Sequence, residues 1–122
     1  MSAWVWIAIA LLGGVGACAR FLLISLIATR HSGNLPLGVL AVNISGSLLL
    51  GLVAGLALSG DALVLTGTAT LGSYTTFSTW MLETQRLGDG GRVRAAVLNV
   101  LVSIALGVAA VAVGRTLGRS LW

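Results

Sequence analysis

Between positions 72 and 80 the chain runs Gly72-Ser73-Tyr74-Thr75-Thr76-Phe77-Ser78-Thr79-Trp80, with Glu83 just beyond. Nine consecutive positions carry hydroxyls, aromatic rings and one glycine inside an otherwise apolar sequence. Such groups are costly in hydrocarbon unless they face protein, water or a ligand. The run therefore predicts a polar path. Donors such as the hydroxyl of Thr76 and the amide of Asn43 can replace the water around an anion, which is how filters select. Phe77 and Trp80 are three apart and share one face of a helix, and the edge of an aromatic ring is the positive end of its quadrupole. Ring edges can touch a small anion without supplying a full charge. Arg20, inside the first apolar run, would add positive potential, because an arginine within a membrane segment marks function by default. Its alternative is snorkelling, since it lies about two turns from the end of its run.

The polar stretch is a poor candidate for one regular helix. Hydroxyl and β-branched residues after Gly72 weaken helix. A break would expose backbone carbonyls at mid-membrane, which is tolerated only against protein or a cavity, and such carbonyls bind sodium in transport proteins. The alternative is a Ser/Thr-rich helix whose hydroxyls bond back to carbonyls one turn earlier. The density of polar residues favours the break. Glu83, one turn beyond Thr79, is either a proton-coupling group or an i, i+3 partner of Arg86.

Composition sets the surroundings of these residues. The 122 residues are 57% hydrophobic and 8% charged, against about a quarter charged in soluble domains. The predicted class is an all-α integral membrane protein. Seven arginines and no lysine carry the positive side of a net charge of +4. Most flank apolar runs, which signals membrane topology and not nucleic-acid binding. The single cysteine, Cys18, excludes an intrachain disulfide, and without clustered Cys or His no side-chain metal site is expected. No residue pair forms a nucleophile with its base, so an enzyme is not expected.

Four apolar runs, at about 4–28, 37–58, 62–86 and 93–114, each approach the ~20 residues that cross a bilayer. The breaks between them centre on Arg30-His31-Ser32-Gly33-Asn34-Leu35-Pro36, Ser59-Gly60-Asp61 and Gly88-Asp89-Gly90-Gly91-Arg92. These leave no room for a soluble domain, so residues 1–122 are predicted to form one four-helix membrane unit. The first run lacks a basic start and is expected to stay in place as a span. Arg30, Arg86, Arg92 and Arg94 outweigh Arg115 and Arg119, which favours cytoplasmic first and third loops. So small a bundle makes a poor conduit alone, and oligomerisation is expected. Asn43, Ser47, Gly51 and Gly55 share one face of the second helix, with Gly51 and Gly55 forming a small-xxx-small pair. Asn99, Ser103 and Gly107 repeat the spacing in the fourth. The glycines suit packing. The asparagines suit function, since an amide has four hydrogen-bonding sites and is hard to satisfy in lipid.

Together these residues resemble the Fluc family of fluoride channels, also called CrcB proteins. The resemblance rests on Gly13-Gly14-Val15-Gly16-Ala17-Cys18-Ala19-Arg20, on Gly38-Val39-Leu40-Ala41-Val42-Asn43 with Gly46, and on Gly72 through Glu83, in that order and spacing. It implies a passive, fluoride-selective channel of the plasma membrane that exports cytoplasmic fluoride and so reduces its toxicity. It also implies an antiparallel, dual-topology-type dimer with two pores and a broken third helix. By the resemblance, Asn43 is the pore asparagine, Phe77 the first ring of an aromatic box, and Thr76 and Ser103 parts of a polar track. A structural sodium ion would be held by the backbone carbonyls of Gly72 and Thr75. Glu83 matches the family's glutamate after the box. The implied route takes fluoride into a vestibule biased by Arg20, then over Asn43, Thr76 and Ser103, and past the ring edges of Phe77 and Trp80.

The chain departs from the family pattern at three places. Trp80 replaces the second phenylalanine of the box, Val39 a threonine before the pore asparagine, and Asn99 a fourth-helix tyrosine. Some members of the family pair as heterodimers of paralogues, in which each partner can lose residues from the pore that it does not complete. Homodimer and heterodimer with a paralogue are therefore both open, as is a non-conducting subunit supported by Trp80 and Asn99. A small multidrug-type exporter would match in length and layout. Such exporters resemble one another in a first-helix glutamate, whereas here the first helix carries Arg20 and no acid, which reverses the electrostatic preference.

Overall fold

The computed structural model describes residues 1–31 and 35–121. The centre of the first predicted break, Ser32-Gly33-Asn34, lies outside the described residues. Every regular element among the described residues is helical. Three helices are long and apolar enough to cross a membrane: α1 (Ala3–Arg30), α2 (Leu37–Gly55) and α6 (Val93–Ser120). Between α2 and α6 the chain makes shorter pieces, namely α3 (Gly60–Leu63), a π-helical stretch (Val64–Leu71), α4 (Gly72–Tyr74) and α5 (Ser78–Asp89).

The third run ends at Asp89, three residues beyond the expected 86, and two other boundaries differ for a physical reason. α2 stops at Gly55, not near 58, and Ala57 just beyond takes a φ of 52°, a left-handed conformation that ends a helix. α6 continues to Ser120 where an end near 114 was expected, because its last turns are packed and not a loose flank. A Cβ on Gly114 would run into the carbonyl oxygen of Leu48, and one on Gly118 into that of Leu52. From the other side, Gly51 and Gly55 face the carbonyls of Val111 and Arg115 in the same way. The small-xxx-small pair of α2 thus meets a matching pair on α6, backbone against backbone.

The third apolar run combines the two local behaviours that its composition allows. The hydroxyls of Thr66, Ser73 and Thr75 bond back to the carbonyls of Ala62, Ala69 and Leu71, four residues earlier. Thr70 reaches five back, to Leu65 at 2.7 Å, which is the register of a π-helix. The backbone then leaves helix altogether over residues 75–77, with Thr75 extended at φ −78° and ψ 160°. Room for this break is made by Gly46 on α2, whose missing side chain admits those of Thr75 and Tyr74. Gly16 on α1 likewise admits the Thr70 carbonyl and the Ser73 hydroxyl. Tyr74 and Ser45 share a hydrogen bond of 2.8 Å, a second tie between α2 and the break.

Candidate functional site

Side chains from two other helices hold the break. Asn43 pairs with both edges of one residue: its Nδ2 donates to the Thr76 carbonyl, and the Thr76 N–H donates to its Oδ1, each at 2.9 Å. In a continuous helix that N–H would serve the Gly72 carbonyl. The Thr79 N–H donates to Thr76 Oγ1 at 3.2 Å, as at a helix N-cap, and not to the Thr75 carbonyl. The Thr75 carbonyl is met instead by Arg20, whose Nη1 lies 3.4 Å away. That separation exceeds the usual hydrogen-bond range, so the contact is chiefly a guanidinium charge facing a carbonyl dipole. Arg20 is therefore turned toward the break from α1, and not along its helix toward the end of the span.

Beside the break an open groove of about 750 Å³ runs between α2, the π-helical stretch, α5 and α6. Asn43, Thr76, Phe77, Trp80 and Ser103 line it, and so do Gly72 and Thr75. The structure thus brings into one groove every predicted path and carbonyl residue except Arg20 and Glu83. Arg20 touches the break without lining the groove. Glu83 lies on a separate cavity of about 200 Å³ that His31 and Pro36 also line. Its Oε1 is 3.7 Å from Arg86 Nη1, the i, i+3 pairing named above.

The aromatic pair is edge-to-face, with ring centroids 5.8 Å apart at 82°. Phe77 is 70% exposed, so the groove is open on that side in the single chain. Trp80 Nε1 and Ser103 Oγ are buried without a hydrogen-bond partner. The three family departures differ in placement. Trp80 is in the groove, Val39 is in the packed core, and Asn99 is buried on the seam between helices. Asn99 Nδ2 donates to Thr84 Oγ1 at 2.9 Å, and that hydroxyl donates to the Trp80 carbonyl at 2.8 Å. Arg115, assigned from sequence only to topology, also lines the groove. Its signal was present, since it continues the four-residue repeat of Asn99, Ser103 and Gly107.

Residues 7–115 match the family model described as CrcB-like protein, Camphor Resistance (CrcB). The chain is 54% identical over 115 residues to "Fluoride-specific ion channel FluC 2" of Mycolicibacterium paratuberculosis, covering 94% of each chain. It is 49% identical over 115 residues to the protein of the same name in Mycobacterium tuberculosis, covering 94% of this chain and 91% of the relative. It is 42% identical over 119 residues to "Fluoride-specific ion channel FluC 1" of Symbiobacterium thermophilum, covering 93% and 96%. The break and its groove fall inside the matched residues, and the chain is a multi-pass membrane protein that belongs to the CrcB family.

Proposed function

We propose that this chain is a subunit of a passive, fluoride-selective channel in the bacterial plasma membrane, which lets cytoplasmic fluoride leave the cell. The names of its relatives support the ion. The observation that carries the mechanism is the set of hydrogen bonds around the break. The Asn43 Oδ1 acceptor is occupied by the Thr76 N–H, and Thr76 Oγ1 accepts from Thr79. Asn43 retains a second amide hydrogen, and Thr76 its hydroxyl hydrogen, as donors. Among the described residues no carboxylate lines the groove, whereas Arg115 does. Donors are left over on both side chains, and the charged side chain at the groove is positive. Fluoride is small and strongly hydrated, so its passage needs donors that replace its water. In this mechanism Arg20 biases the entry, Asn43, Thr76 and Ser103 receive the dehydrating ion, and the edges of Phe77 and Trp80 flank its route.

A structural sodium ion fits the residues present. The Gly72 and Thr75 carbonyls have both lost the amides that a continuous helix would give them, the condition under which backbone carbonyls become cation ligands, and at Thr75 the ion would share the carbonyl with Arg20 Nη1, 3.4 Å away. When bound, sodium would supply charge that fixes the freed carbonyls in place. Two carbonyls do not complete a sodium shell, so the remaining oxygens would come from a second subunit. The same partner would close the groove beside Phe77. That arrangement is an antiparallel dimer of four-span subunits, with the short helices from Gly60 to Asp89 forming the third, broken span. Relatives numbered 1 and 2 fit chains that occur as paralogues, which keeps a heterodimer beside the homodimer.

The test is fluoride efflux from liposomes that contain this purified chain alone, with chloride as control. Fast, fluoride-selective efflux is the expected result and would establish a homomeric channel. No efflux from folded protein would require the assay to be repeated with a paralogue, and silence there too would overturn the fluoride function.

A further inference from the structure

Trp80 Nε1 and Ser103 Oγ are the buried side-chain polar atoms without a partner among the described residues. The fold brings both residues to the same groove. α5 and α6 are consecutive helices joined by a tight connection, with Arg92 N–H on the Leu87 carbonyl at 2.8 Å, and they run antiparallel. Thr84 and Asn99 meet across their seam at 2.9 Å. One turn back along α5 from Thr84 is Trp80, and one turn forward along α6 from Asn99 is Ser103. Because the helices run in opposite directions, both steps lead the same way, and both residues arrive at the groove. The Thr84 hydroxyl also holds the Trp80 carbonyl at 2.8 Å, so the Asn99 contact fixes the turn that carries the indole.

An indole N–H only donates, and a serine hydroxyl can donate as well. A buried donor left unmade is destabilising, so a pair of them suits an acceptor. From this juxtaposition we infer that the Trp80 N–H and the Ser103 O–H form a two-donor site for a dehydrated fluoride ion. Trp80 then acts on the ion through a hydrogen bond, which a phenylalanine at the same position cannot make. The inference rests on the fluoride function proposed above. It turns the bulkier ring from an obstacle into a determinant of specificity.

The test uses the full chain carrying Trp4→Phe, Trp6→Phe and Trp122→Phe, which leaves Trp80 as the one indole. Its indole proton resonance is followed in detergent micelles during titration with sodium fluoride and, separately, with sodium chloride. The expected result is a saturable shift with fluoride and none with chloride. Ser103→Ala should raise the fluoride midpoint roughly tenfold, the scale of one lost hydrogen bond to a charged group. Trp80→Phe should slow liposome efflux by a similar factor. An indole resonance indifferent to fluoride, or one that shifts equally with chloride, overturns the site and leaves water as the partner of the N–H. Efflux through the unmodified chain decides the functional proposal separately. A conducting chain with an unresponsive indole keeps the channel and loses this site. A responsive indole without efflux supports the site and points to a missing partner subunit.

Discussion

Asn43 shows how one amide both shapes a helix break and lines the groove beside it. Its carbonyl end caps the Thr76 N–H and its NH₂ end holds the Thr76 carbonyl, so the side chain stands in for a helix turn that the backbone does not make. Asn43→Asp would replace the donor facing the Thr76 carbonyl by a second carboxylate oxygen and bring a negative charge to an anion path. We expect fluoride flux through liposomes to fall at least roughly tenfold, the scale of one charge-assisted hydrogen bond. Unchanged flux would remove Asn43 from the path. The hydroxyl cluster made the break legible as sequence, and the residues read beside it do line one groove. Asn99 shows the limit of the same reasoning. Both asparagines are hard to satisfy in lipid, but Asn99 finds Thr84 on the neighbouring helix and serves the seam.

Among the elements, the contact between α2 and α6 is the most exacting, because glycines on both helices meet carbonyl oxygens. Gly114→Val would force α6 off α2. Overpacking of this kind costs about 1–3 kcal/mol, occasionally more, and should lower the Tm of the purified protein in detergent. Gly88→Ala is the control, since nothing lies within 4 Å of the added carbon and alanine favours helix by up to ~1 kcal/mol. Equal Tm values for the two variants would mean that α6 is free to move. The Gly51 and Gly55 spacing announced this packing. The match at Gly114 and Gly118 lies at the edge of the apolar run, among arginines that mark a flank. Similarly, hydroxyl density foretold the break at 75–77. The π register at Thr70 depends on which carbonyls the neighbouring helices leave free, and local composition does not encode that.

For the molecule as a whole, surface is the decisive quantity. The chain exposes 7504 Å², whereas a compact soluble monomer of 12.4 kDa exposes about 6,100 Å². Only 6% of the apolar window of α1 and 11% of that of α6 is buried within the chain. Much of the excess suits lipid, but the open groove at Phe77 and the freed carbonyls of Gly72 and Thr75 suit a second subunit. Side-chain substitution at Thr75 would test the proposed carbonyl site poorly, because its ligands would be backbone. Replacing sodium by N-methylglucamine throughout purification and assay is the better experiment. We expect a lower dimer fraction by light scattering and a lower fluoride flux, and no change in either would count against the sodium site.

Much of this protein follows from its order of residues alone. Low charge and long apolar runs dictate a helical membrane protein, because unpaired backbone is not tolerated in hydrocarbon. Polar residues spent inside such runs mark a break, since their cost in hydrocarbon has to be met by protein, water or a ligand. The family motifs lie in the same stretches. Tertiary structure decided what each polar group is left with. It set Asn43 Oδ1 and Thr76 Oγ1 to hold the break, sent Asn99 to Thr84, and turned Arg20 onto the Thr75 carbonyl. It left the donors of Trp80 and Ser103 unpaired. A sequence shows how many hydrogen bonds a residue can make, but which of them remain for an ion depends on neighbours that only packing brings within 3 Å.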